Sequence, residues 1–193
     1  MVTPVRLVAS SIAVLLLAGS ASAQLQLFPR ASTYSLDGVT FPQLAFKDGN
    51  AEVTYVPPRG WSVTGSDSKL VLRPANTANA EATVVSTPLK ENGNLSFDDE
   101  AVKNLTTEAL AAVPAESTNV QVLSQQVNPV RISGKDTFLL TLSYTFGGEN
   151  YARSVMFMNR PTSRVIFQLL SKEKDFADLQ KAFLGSHFTW HNL

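Results

Sequence analysis

The chain has 193 residues, with 16 Lys plus Arg against 16 Asp plus Glu, two His and no Cys. Neutrality excludes the basic excess with which a nucleic-acid binder meets phosphates, and the missing cysteine excludes disulfides, thiol nucleophiles, thiolate metal sites and a lipid anchor carried on Cys. At 44% hydrophobic and 17% charged residues the chain is apolar enough to bury a sizeable core as one domain.

The first 23 residues stand apart, because Arg6 is their only charged side chain. Arg6, the apolar run Leu7 to Ala18 and the small residues Ala21-Ser22-Ala23 have the order of a secretory signal peptide. Ala21 and Ala23 are the expected signal peptidase site, with cleavage after Ala23. An apolar run of about 12 residues is well short of the ~20 a spanning helix needs, so no membrane span is expected after cleavage. The mature chain would hold 170 residues with 15 basic and 16 acidic side chains, secreted or periplasmic and held together by its core alone.

Residues 24–40 mix Pro29, Ser32, Ser35 and Gly38 with scattered apolar positions, which reads as a loosely ordered leader before a domain over 41–193. Strands follow at Ala51 to Val56, stopped by Pro57-Pro58, at Trp61 to Val63, at Lys69 to Arg73 and at Ala82 to Thr87. A helix is expected from Ser96 to Val113. Ser96 is its cap, Asp98-Asp99-Glu100 fill its positive first turn, and Phe97, Ala101, Leu105 and Ala109 recur every four residues. A meander follows: Val120 to Gln126, Val130 to Ser133, Phe138 to Phe146, a Gly147-Gly148 turn, Tyr151 to Met158 and Val165 to Leu170. A last helix runs from Glu173 to Leu184 and stops at Gly185. The expected class is α+β, an α/β sandwich with a central, mostly antiparallel sheet of six or seven strands flanked by two main helices.

The order of these elements resembles the PsbP, Mog1 and DcrB-like superfamily. Val56-Pro57-Pro58-Arg59-Gly60-Trp61 looks like the family's "P-x-G-W" opening, and the helix at Ser96 to Val113 and the hairpin Phe138 to Met158 follow in order. Val165 to Leu170, Lys174-Asp175-Phe176-Ala177-Asp178-Leu179 and the stretch Phe183 to Trp190 look like its "dF-x-x-L…F-x-x-S-F" close. The resemblance covers about residues 41–193 and implies a binding or assembly role instead of catalysis. Fold likeness does not name the partner.

Candidate chemistry is sparse. His187 and His191 are four apart, a spacing at which a helix presents two imidazoles to one metal, but they follow the expected helix stop and read as exposed terminal histidines, so no metal or other cofactor is expected. Gly185-Ser186-His187 sets Ser beside His without a G-x-S-x-G elbow. Asp98-Asp99-Glu100 is explained by the helix N-terminus. Trp61 and Trp190 read first as core or rim anchors and second as stacking platforms. Asn94-Leu95-Ser96 and Asn104-Leu105-Thr106 match the glycosylation acceptor pattern but fall at or within the helix, where they read as incidental. Tyr151, Arg153, Arg160 and Arg164, with Trp190, form the candidate interface, as arginine and aromatic residues favour such surfaces. The resulting expectation is an exported non-enzymatic binding or assembly domain acting on a protein partner in the cell envelope or outside it. The alternatives are a small-molecule binding module with a cleft between sheet and helix, and a secreted hydrolase.

Overall fold

The computed structural model describes residues 25–89 and 95–193. The expected signal peptide with Ala21 and Ala23, and Asn94, lie outside the described residues. Ten strands and two helices follow in the order β1 (Leu25–Leu36), β2 (Val39–Asp48), β3 (Ala51–Tyr55), β4 (Trp61–Gly65), β5 (Lys69–Pro74), β6 (Glu81–Pro88), α1 (Asp99–Ala111), β7 (Thr118–Val127), β8 (Thr137–Phe146), β9 (Glu149–Asn159), β10 (Ser163–Lys172) and α2 (Glu173–His187). A seven-stranded antiparallel sheet has the order β4-β5-β6-β10-β9-β8-β7, and β1-β2-β3 form a separate three-stranded sheet. The fold is α+β, as the patterning implied.

The alternation of Phe138, Leu140 and Leu142 against Leu139 places apolar side chains on both faces of β8, because both faces are covered. On one face Phe138, Leu140, Leu142, Val155, Phe157 and Ile166 meet Leu105 and Ala109 of α1 and Phe97 just before it. On the other, Leu139, Met156, Val165 and Phe167 meet Phe176 and Phe183 of α2 together with Phe46, Val53 and Tyr55 of the small sheet. The second core is closed by Trp190, which is 1% exposed. Its indole stacks on Tyr55 at 4.2 Å and Phe46 at 5.3 Å and meets the Phe167 ring edge-on at 5.9 Å.

Residues 24–40, read as a loosely ordered leader, are strand from Leu25 onward. Leu25 and Leu27 are fully buried in the larger core, and the Leu27 amide donates to the Asp67 carbonyl at 3.0 Å. A register shift between Gln26 and Arg30 interrupts the ladder, so Pro29 masked a strand that continues past it. Asp37-Gly38 then turns the chain with φ of 51° and 79°, a two-residue hairpin turn that needs positive φ at both positions.

Three other expectations change. The first helix begins at Asp99, capped by Asp98, whose carboxylate accepts from the Ala101 amide at 2.9 Å, and not by Ser96. Val130 to Ser133 is no strand. Ile132 forms an isolated bridge with Lys135, and Ser133, at φ 48°, donates its hydroxyl to the Trp190 carbonyl at 3.0 Å. The second helix runs through Gly185 to His187, because the capping bonds come later: the Thr189 amide reaches the Ser186 carbonyl and the Trp190 amide the His187 carbonyl.

Candidate functional site

The candidate interface residues do not form one exposed patch. Tyr151 on β9 is half-buried and stacks on Tyr144 of β8 at 5.8 Å. Arg153, two residues on, donates to the Ala112 carbonyl at 2.8 Å and to Gln168 Oε1 at 2.6 Å, fastening the end of α1 to the sheet. Burial lowers its basicity, partly offset by Tyr144. Arg164 donates through Nε to Asn159 Oδ1 at 2.9 Å, ion-pairs with Glu108 of α1 at 3.5 Å and lies over the Phe157 ring. Arg160, in the β9–β10 turn, is ion-paired with Asp48 at the end of β2, with little of either side chain exposed. Trp190 is core. These arginines join the layers of the fold.

The serine and histidines are likewise apart from one another in role. Ser186 donates to the Phe183 carbonyl at 2.6 Å, so the Tyr55 hydroxyl donates to Ser186 Oγ at 2.8 Å. Burial pushes the Tyr55 phenol well above its ordinary range. His187 is not an exposed terminal residue: it is 1% exposed, held edge-on between Phe167 at 4.8 Å and Phe183 at 4.5 Å, and neither ring nitrogen has a hydrogen-bond partner. Desolvation lowers its pKa to about 3, so the ring is neutral. His191 is exposed, and its backbone bridges Thr54. Among the described residues, no three His, Cys, Asp or Glu side chains gather where a metal ion would sit.

Two of the concave features among the described residues have a mainly apolar lining. One is a cleft of about 670 Å³ beyond the end of α1, floored by Tyr144, Tyr151 and Leu170 and walled by Pro114 and the Arg73–Glu81 ion pair of β5 and β6. This is the part of the sheet face that the helix leaves uncovered.

The other belongs to the N-terminal hairpin. None of residues 28–44 is buried, so beyond its first turn of core contacts the β1–β2 hairpin is an arm. Register pairs Tyr34 with Phe41 and Leu36 with Val39, which puts these four side chains on one face and Thr33, Ser35, Thr40 and Pro42 on the other. The apolar face continues the side of the small sheet that carries Arg30 and Glu52, opposite the larger core. Leu36 is 60% and Val39 54% exposed, and the Tyr34 and Phe41 rings stack at 5.2 Å. Along the free edge of β2, where β3 no longer pairs, Tyr34, Phe41 and Pro42 face Pro57, Pro58 and Trp61 across a groove of about 340 Å³. Trp61 is seated from below by stacking on Phe183 of α2 at 6.1 Å. The Trp61 amide donates to the Pro58 carbonyl at 3.2 Å and Gly60 has φ 80°, a type II turn that sets Arg59 at the outer corner.

The arm was the part that sequence reasoning passed over. Its signal was present: Tyr34-x-Leu36 and Val39-x-Phe41 alternate on either side of Asp37-Gly38, the strongest short hairpin signature. By contrast, the Val56 to Trp61 segment, singled out for its resemblance, forms the opposite wall of the groove.

No family model matches the chain, and no curated protein matches it. Solved structures do. The cyanobacterial PsbP protein CyanoP of Synechocystis is 14% identical, with 90% of this chain and 95% of that chain covered and a TM-score of 0.52. LpqN of Mycobacterium tuberculosis, described as involved in cell envelope biogenesis, is 14% identical over 68% of this chain and 79% of that one at a TM-score of 0.48. PA94 of Pseudomonas aeruginosa, of unknown function, is 15% identical over 82% and 94% at 0.42. With CyanoP matched along nearly its whole length, the element order and the sheet place this chain in the PsbP/Mog1-like fold.

Proposed function

We propose that the chain is an exported, non-enzymatic binding domain that holds a polypeptide partner in the envelope or outside the cell through the apolar face of its β1–β2 arm. The observation that carries this reading is the arm itself: a two-stranded hairpin is marginal in water, and this one displays Tyr34, Leu36, Val39 and Phe41 together on one face, all four exposed. Export rests on the signal-like order of Arg6, Leu7 to Ala18 and Ala21-Ser22-Ala23. A non-enzymatic role is supported by the placement of Ser186 and His187, whose polar atoms are turned into the core where no substrate reaches them.

A photo-crosslinking side chain at Leu36 or Val39 tests the reading in living cells. Discrete adducts are expected from these positions, to be lost when Phe41→Ser is added, and absent when the same group replaces the exposed Glu116. Adducts at Glu116 but none on the arm would overturn it.

The cleft beside Tyr144 and Tyr151 supports a second reading, a small-molecule binding module, because its aromatic floor and its volume suit a ligand of moderate size. Native mass spectrometry of the protein as purified would then show a bound compound whose occupancy falls in Tyr151→Ala.

A further inference from the structure

We infer that the groove between the arm and the Val56–Trp61 turn takes a proline-containing segment in the polyproline II conformation that carries an acidic residue; this rests on the reading that the arm docks a polypeptide. Three observations converge on that occupant.

The first is the chemistry of the walls. Tyr34, Phe41 and Trp61 supply aromatic rings and Pro42, Pro57 and Pro58 supply rigid apolar ridges, and aromatic-lined grooves of this kind receive the ridged surface of a polyproline II helix. The three rings are held before a ligand arrives: Tyr34 and Phe41 stack on each other, Trp61 stacks on Phe183, and the Gly60 turn fixes the Trp61 end. A preset groove and a preset ligand conformation both reduce the ordering cost of binding.

The second is the scarcity of hydrogen-bonding groups. Apart from Gln43 and Arg59, the lining residues offer only the Tyr34 hydroxyl and the Trp61 indole N–H, single groups that can meet a carbonyl but cannot form a ladder, and the Gln43 amide already faces Ser32 Oγ and the Thr33 carbonyl. A bound β-strand would have to pair its backbone with the free edge of β2, where Pro42 lacks an N–H. A polyproline II segment needs no such ladder, because its prolines have no donor and its carbonyls stay in water.

The third is charge. Arg59 is the one charged residue lining the groove, and it is exposed at the corner of the turn. An acidic side chain on the segment meets it at the rim, where it sets direction and specificity more than affinity.

The test is fluorescence anisotropy on the protein purified from the cell envelope. The probes are a labelled ten-residue peptide of Pro and Ala with one central Glu, the same peptide with Lys for Glu, and one in which Ser replaces every Pro. Saturable binding of the Glu peptide is expected, weakened by about tenfold or more in the Lys peptide, the Ser peptide and the Tyr34→Ala protein, a change of ~1.4 kcal/mol or more. Arg59→Glu is expected to reverse the order of the Glu and Lys peptides, and melting curves of both variants should overlay the parent because the altered side chains are exposed. Equal binding of the Ser peptide, or an order of Glu and Lys peptides that Arg59→Glu leaves unchanged, would overturn the inference. Arm adducts in cells with no binding of any proline peptide would overturn the proline assignment alone. Loss of both would take the arm reading with it. Binding to anionic phospholipid vesicles without binding to the peptides would replace a polypeptide occupant with a membrane surface.

Discussion

At His187 a titratable ring is kept neutral by confinement between Phe167 and Phe183. Its folded pKa, about 3, lies below the unfolded value of 6.5, so between those two pH values the unfolded chain holds a proton that the folded chain refuses. Stability therefore falls as pH drops through this window, with a slope from this group approaching ~1.4 kcal/mol per pH unit. The difference between His187→Leu and parent, from urea unfolding at pH 7, 6, 5 and 4, isolates this slope, because the two proteins share every other titratable group. A parallel pair of curves would refute the confinement argument. Trp190 poses the complementary case: it touches Tyr55, Phe46 and Phe167 at once, and Trp190→Ala should cost ~3–5 kcal/mol, read from the same denaturant midpoints. Neither role was legible from local sequence. Gly185 looked like a helix stop, yet a glycine ends a helix only where the chain takes up the capping geometry, and here the cap bonds form at Thr189 and Trp190.

Elements were legible in proportion to how regularly their side chains alternate between environments. β8, β9 and β10 run between two cores and show it in sequence, so their bounds were anticipated within a few residues. α1 was found from its four-residue spacing, while its cap moved by two residues because Ser96 and Asp98 offer the same chemistry. β1 was missed because its buried part is short, Leu25 and Leu27, and the bulge at Pro29 breaks the pattern before the arm begins. That bulge meets β4 at Gly65, where an added Cβ would lie 2.4 Å from the Leu27 carbonyl oxygen and 2.7 Å from the Pro29 ring. Backbone cannot yield there cheaply, so Gly65→Ala should destabilise the protein by ~1–3 kcal/mol and speed amide exchange at Leu27 first. Exchange accelerated evenly across both sheets would show that β1 is not locally seated.

For the whole molecule, the layers predict that the arm and the body are separable. The body holds both cores; Leu44 at the base of the arm packs against the larger one, and from Ala31 to Gln43 the arm contributes to neither. Shortening the hairpin between Ala31 and Pro42 while keeping Asp37-Gly38 should leave the melting temperature within a few degrees, since surface changes remote from packing cost little, and should abolish the arm adducts in cells. A large drop in melting temperature would mean that the arm braces the fold. The candidate site was half legible from sequence: the Pro57-Pro58-Arg59-Gly60-Trp61 wall announced itself through resemblance, whereas the facing wall is made by an element whose apolar residues look like scattered leader until the hairpin pairs them.

The larger core has an ordering in time as well as in space. Leu25 and Leu27 from the first strand lie in the same cluster as Trp190 and Leu193, and the Thr54 amide waits for the His191 carbonyl. A chain emerging residue by residue can gather the smaller core, Phe97 to Ile166, before its closing segment is free, but the larger core lacks Trp190 and Leu193 until then, because pairing across such sequence separations must follow the loops it closes. Nascent chains arrested before Trp190 clears the exit tunnel should thus stay open to protease along β1–β3, and release of the last turn should protect them in one step.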